Sequence, residues 1–291
     1  MNTRVPQQTR EFLFRGNAVA AGGFLTRMGG NLIPLDANTV TTHGESSLPL
    51  IGGVSHSLVQ APTLAFSKFI RYAACETFVE GGPAGENMVT SLRASVNDVQ
   101  VTTSPSPEDQ LPDVQSISFQ AGRLSIEVRS THPPKGQPSF EVVGTPEALG
   151  MFLVVTDPSG KSTSTPIQVE FDQALIALRT LKDLDKEFLG NRAFFDDHVS
   201  CFAGRKPIFG KSRVPRTPQG YVLGSIVKQI SFGSQVIPGN VLVQPGFGTI
   251  TFGTMITDQI SRRISMARIK MGSDPDGDAS FSGVETNGIW K

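Results

Sequence analysis

The stretch Leu92-Arg93-Ala94-Ser95-Val96-Asn97 decides the fold. Leu92, Ala94 and Val96 alternate with Arg93, Ser95 and Asn97, the period of a strand with one buried face. Further on, the apolar runs 116–119 and 124–128 flank Gln120-Ala121-Gly122-Arg123, a short Gly-bearing stretch that predicts a hairpin. The runs 151–155 and 167–171 flank a loop opened by Asp157-Pro158-Ser159-Gly160, which is strong turn chemistry. The runs 241–243 and 249–252 flank Gln244-Pro245-Gly246-Phe247-Gly248, another hairpin signal. Toward the N-terminus, 11–15 opens an early strand and Gly22-Gly23 predicts a turn. Strands at this spacing predict a mainly β protein, an antiparallel sandwich or barrel-like body.

Two segments depart from this pattern. Leu175, Leu178, Leu181, Leu184 and Phe188 recur at three-to-four spacing before Gly190, which predicts one helical excursion over 173–190. Segment 66–78 fits both periods: Phe66, Ile70, Ala74 and Phe78 lie on one side of a strand, and its β surroundings favour that reading. The expected organisation is a β-rich body over 1–171, a helical excursion over 172–203 and a β-rich C-terminal return over 204–291 in the same domain.

Composition narrows the function classes. The chain has 291 residues, 38% of them apolar, enough to bury a core without staples. Lys+Arg 26 balance Asp+Glu 26, so no excess positive charge points to nucleic acid or to an anionic membrane surface. No run of apolar residues is long enough to cross a membrane. The first residues lack the shape of a signal peptide, so a cytoplasmic location is expected. Cys75 and Cys201 form no framework of pairs, and two unlinked thiols are the simpler reading. There are 19 Phe but only 2 Tyr and 1 Trp, which favours core and apolar contact over sugar or single-strand stacking.

Three stretches carry candidate chemistry. In 274–285, Asp274, Asp276 and Asp278 stand at loop positions 1, 3 and 5, Ser282 at 9 and Glu285 at 12. This spacing is similar to an EF-hand calcium loop, because Ca²⁺ takes several oxygens and a closing bidentate Glu. Ala279 stands where that loop has Gly, and a polar turn is the alternative. Asp196, Asp197 and His198 could supply acid–base groups or metal ligands, although neighbours in a row rarely converge on one point. Arg205, Lys206, Lys211, Arg213 and Arg216 fall within twelve residues without an acid. They offer an interaction surface, set against a nearby acidic stretch at 183–197.

No nucleophile elbow, phosphate-binding loop or dinucleotide fingerprint occurs. The reading is therefore a structural or interaction protein, a self-associating β-rich subunit that forms a homo-oligomer. A ligand- or calcium-binding β-module is the alternative. A hydrolase or lyase on a β-scaffold, using Asp196, Asp197 and His198, is the third.

Overall fold

In the computed structural model, the described residues are 11–28, 31–32, 41–60, 68–136, 138–172, 222–257 and 261–290. The first strands are β1 (Phe12–Met28), β2 (Asn31–Leu32), β3 (Thr41–Ser47), β4 (Gly53–Gln60), β5 (Ile70–Arg71) and β6 (Ala74–Ala84). There follow β7 (Asn87–Thr103), β8 (Ser116–His132), β9 (Ser139–Val142), β10 (Glu147–Leu149), β11 (Met151–Thr156) and β12 (Ser162–Phe171). After the 173–221 stretch come β13 (Val222–Ser225), β14 (Val227–Phe232), β15 (Gln235–Pro238) and β16 (Val241–Gln244). The chain ends with β17 (Gly248–Thr257), β18 (Ser261–Gly272) and β19 (Asp276–Trp290).

The strands form two antiparallel sheets that pack as a sandwich, as the alternation at 92–97 predicts. The smaller sheet runs β13-β17-β18-β19-β1-β2, with β16 on β17 and β3 on β1. The larger runs β15-β14-β12-β11-β8-β7-β6-β4, with β5, β9 and β10 attached to its centre. β1 packs on β6 and β7, and β19 on β7 and β8, so the core lies between the longest strands of each sheet. Phe119 from β8 meets Phe252 from β17 there, with ring centroids 6.0 Å apart and both side chains fully buried.

The long strands change face midway. On β8 the buried apolar residues are Ile117, Phe119 and Ala121, then Leu124, Ile126 and Val128. The parity shifts at Gly122-Arg123 while the chain stays extended. The predicted hairpin at 120–123 is therefore replaced by one continuous strand. β7 shifts at Asp98 (φ 52°), from Leu92, Ala94 and Val96 to Val99 and Val101.

The smaller sheet does the same along one line. Ala18 and Ala20 give way to Ala21 and Leu25 on β1, and Ala279 and Phe281 to Val284 and Thr286 on β19. Ser282 (φ 51°) and Gly253 (φ 56°) stand on that line. Register is unchanged across it, because Val19 faces Gly283 and Ala21 faces Phe281. The predicted turn at Gly22-Gly23 is accordingly also strand. A Cβ at Gly23 would come within 2.8 Å of the Asp278 carbonyl, so this close approach suits glycine.

Ser282 is a non-glycine in the left-handed region, a conformation that costs roughly 1–3 kcal/mol. Its buried Oγ donates to the Leu124 carbonyl at 2.8 Å, tying β19 to the face change of β8 in the opposite sheet.

The chain also crosses between sheets. β3 passes to β4 through a turn in which Gly52 N–H donates to Pro49 C=O at 2.9 Å. β13 passes to β14 at Ile226, whose N–H donates to Gly253 C=O at 2.9 Å. Ser104, beyond the end of β7, makes an isolated antiparallel bridge to Asp274 of the smaller sheet's β18–β19 link.

The turn at Asp157 forms as predicted: its Oδ1 accepts from Ser159 N–H and Lys161 N–H, each at 2.9 Å. The 244–248 hairpin joins β16 to β17. In 66–78, Ile70 and Phe78 lie on strands, whereas Phe66 lies outside the described residues. The helical excursion over 173–190 also lies outside them.

The aromatic contact across the core yields a direct test. Phe119→Ala should lower unfolding free energy by about 3–5 kcal/mol, read from urea denaturation.

Candidate functional site

The 274–285 stretch does not fold as a loop. β19 begins at Asp276 and continues through Glu285 to Trp290. An extended chain rises about 3.3 Å per residue, so Asp276 and Glu285 stand roughly 30 Å apart along the strand. Each side chain further along has a protein partner. Asp278 accepts a two-pronged pairing from Arg268, with Nε 3.1 Å from both carboxylate oxygens, and both side chains are almost fully buried. Glu285 accepts from Arg263, whose Nε lies 3.0 Å away. Ser282 is committed to Leu124 as described. The structure thus spreads these oxygens along a strand instead of converging them. Among the described residues, no group of three or more His, Cys, Asp and Glu side chains is placed to hold a metal ion.

Asp196, Asp197, His198 and Cys201 lie outside the described residues, as do Arg205, Lys206, Lys211, Arg213 and Arg216. The other three histidines each have a hydrogen-bond partner, distant in sequence for His43 and His56 and two residues away for His132. His43 on β3 shares a short hydrogen bond through Nδ1 with the Tyr72 hydroxyl, joining the margins of the two sheets. Burial holds the His43 imidazole below its ordinary range. Burial, and then the neighbouring Cys75, push the Tyr72 phenol up. Burial also raises the Cys75 thiol to about 11. These three groups are therefore neutral near pH 7, and the thiol is not poised as a nucleophile. Sequence reasoning missed the pair because 29 residues separate its members.

His132 is buried at the end of β8, where its Nε2 and the Ser130 hydroxyl share a 2.9 Å hydrogen bond. Burial, helped by the nearby Arg262 charge, lowers its pKa to about 4. His56 on β4 sits at the surface, with Nε2 3.1 Å from Glu76, which also accepts from Arg93 at 3.2 Å.

A half-open cleft of about 330 Å³ lies on β1 and β19, lined by Arg15, Gly16, Asn17, Leu48 and Glu285. The lining supplies donors and one carboxylate but no hydroxyl, thiol, amine or imidazole. Its chemistry is polar contact, not nucleophilic attack.

The most distinctive surface is an edge. β4 ends the larger sheet, pairs with β6 on one side, and has no strand on the other among the described residues. Its sequence, GVSHSLVQ, carries no Lys, Arg, Asp, Glu or Pro. Val54 and Leu58 project outward, 59% and 55% exposed, and Ile51 in the preceding turn is 86% exposed.

The other margins are blunted in the usual ways. β15 has four residues and ends in Pro238. β16 has four residues, with Pro245 next in the chain. β3 carries the exposed Glu45 and a left-handed Gly44 (φ 61°). Natural sheets protect edges with charge, proline, brevity or bulges, and β4 uses none of them.

Residues 12–146 match a family described as a domain of unknown function (DUF8256). The match takes in β1 to β9, including β4, and covers just under half of the chain. No curated protein and no solved structure matches the chain.

Two buried groups give measurable outcomes. Arg268→Ala should cost about 3–5 kcal/mol by leaving Asp278 buried and unpaired, while Arg268→Met with Asp278→Leu should recover most of it in the same denaturation assay. For His132, the unfolded imidazole binds a proton near pH 6.5 and the folded one only near 4. Stability is then complete above about 6.5 and falls as pH drops toward 4, by about 3 kcal/mol. His132→Gln should flatten that part of the stability–pH curve.

Proposed function

We propose that the protein is a structural or interaction protein, a β-rich subunit that self-associates. The observation that carries this reading is the unprotected edge of β4, eight residues long and without charge. A row of unpaired backbone N–H and C=O groups is a template for another strand. The outward Val54 and Leu58 supply apolar contact beside that backbone pairing. Each cross-strand side-chain pair contributes only about 0.2–1 kcal/mol, so association through one edge is concentration-dependent.

The titratable groups inside the body are consistent with a non-catalytic role. His43, Tyr72 and Cys75 are held neutral by burial, and His132 is far below its ordinary range. A ligand-binding module is the second reading, favoured by the polar cleft at Arg15, Asn17 and Glu285.

Sedimentation velocity tests the first reading. The intact protein should show a species of about twice 31.2 kDa that grows with concentration. Val54→Lys with Leu58→Lys should return it to the monomer without changing its β circular dichroism, since both side chains are exposed. A wild-type chain that stays at 31.2 kDa up to high concentration would overturn the proposal.

A further inference from the structure

The geometry points to a second copy of this chain as the occupant of the β4 edge, paired antiparallel about a two-fold axis that passes through His56. The inference rests on the self-association reading and adds its symmetry and register.

The first argument is stereochemical. In an antiparallel ladder, two directly opposed residues either both turn N–H and C=O toward each other or both turn them away. The two kinds alternate along a strand. Opposed positions on two copies of β4 therefore share parity, and their residue numbers sum to an even number. A two-fold pairing of this kind places one residue on the axis, facing its own counterpart.

The second argument is the sequence of the edge. Val54-Ser55-His56-Ser57-Leu58 reads the same in both directions by residue class: apolar, serine, histidine, serine, apolar. With His56 on the axis, Val54 of each copy faces Leu58 of the other. Ser55 faces Ser57 in the same way. The apolar side chains lie on the exposed outer face, while Ser55 and Ser57 lie on the opposite, half-buried face. With Ser57 on the axis, Val54 would face Gln60 and His56 would face Leu58, which loses the apolar match at equal overlap. Opposed apolar side chains bury surface against each other, and opposed hydroxyls share hydrogen bonds across the pair. A partner of unrelated sequence has no reason to meet a palindrome, whereas a second copy meets it by symmetry.

The neighbourhood of the axis fits two copies. Glu76 accepts from His56 at 3.1 Å, so each imidazole brings its own carboxylate. Phe78, directly opposite His56 on β6, has its ring centroid 6.5 Å from the imidazole and extends the apolar surface behind it.

Disulfide trapping in the full-length chain carrying Cys201→Ser tests the register, with sedimentation run on the same samples. Cys75 stays in place, since it is buried and its thiol is pushed up to about 11. Opposed α-carbons in a ladder are about 4.5–5.5 Å apart, within disulfide reach. Mild oxidation of His56→Cys should give a covalent dimer. Ser57→Cys alone should give about tenfold less, because each copy's position 57 faces position 55 and not itself. A mixture of Ser55→Cys and Ser57→Cys chains should cross-link to each other. Cross-linking of Ser57→Cys in preference to His56→Cys overturns the inference. So does a sedimenting dimer in which no position links. Both outcomes leave self-association standing. A monomeric mass with no cross-link overturns the inference and the reading it rests on.

Discussion

The architecture depends on a change of face that neighbouring strands make together. A 17-residue strand that kept strict alternation would carry one flat stripe of apolar side chains, but long sheets twist and coil. Here β7 and β8 in one sheet, and β1 and β17 to β19 in the other, switch their buried parity midway. Had one strand switched alone, every side chain beyond that point would face the wrong side of its neighbour. Matched switching preserves the register from Val19–Gly283 to Ala21–Phe281. The Ser282 hydroxyl on the Leu124 carbonyl then fixes one sheet's line against the other's. That hydrogen bond helps to offset the left-handed backbone at Ser282.

This constraint also explains what the sequence discloses. Alternation at Leu92, Ala94 and Val96 is legible because it lies wholly on one side of Asp98. The turns at Asp157 and at 244–248 are legible because Pro, Gly and Asp impose local geometry whatever the rest of the chain does. The stretch Gln120-Ala121-Gly122-Arg123 imitates a hairpin because a parity switch and a turn interrupt the apolar rhythm in the same way. Gly22-Gly23 imitates a turn because glycine serves close approach as well as reversal. The spacing of carboxylates in 274–285 imitates a metal loop for a third reason. Acids at alternate positions also lie on one side of a strand, where Arg268 from the adjacent β18 reaches Asp278. The candidate edge was spelled out in residues 53–60, but its meaning depends on knowing that β4 is the last strand of its sheet.

The perturbed groups between the sheets, His43, Tyr72, Cys75 and His132, are all shifted toward their uncharged forms, chiefly by burial, with the Arg262 charge acting in the same direction on His132. The outer face of the larger sheet instead carries exposed or partly exposed ion pairs, such as Arg123 with Glu147 and Arg129 with Glu141. Such pairs contribute little to stability individually. They keep that part of the face hydrated, whereas the β4 margin exposes Val54 and Leu58.

The crossings between sheets carry a mechanical meaning. A sandwich whose sheets met only through side chains could open like a book, each leaf retaining its ladders. Here the backbone itself passes from one leaf to the other at 48–53, at Ile226 and at Gly239-Asn240, and the Ser104–Asp274 bridge clips a further point. Separating the leaves would therefore tear main-chain ladders as well as expose apolar surface. The body is built to yield all at once, so amide protons of the deep strands in both sheets should become exchangeable only through the same global opening. Force applied to one edge would therefore pass into both leaves instead of opening them separately.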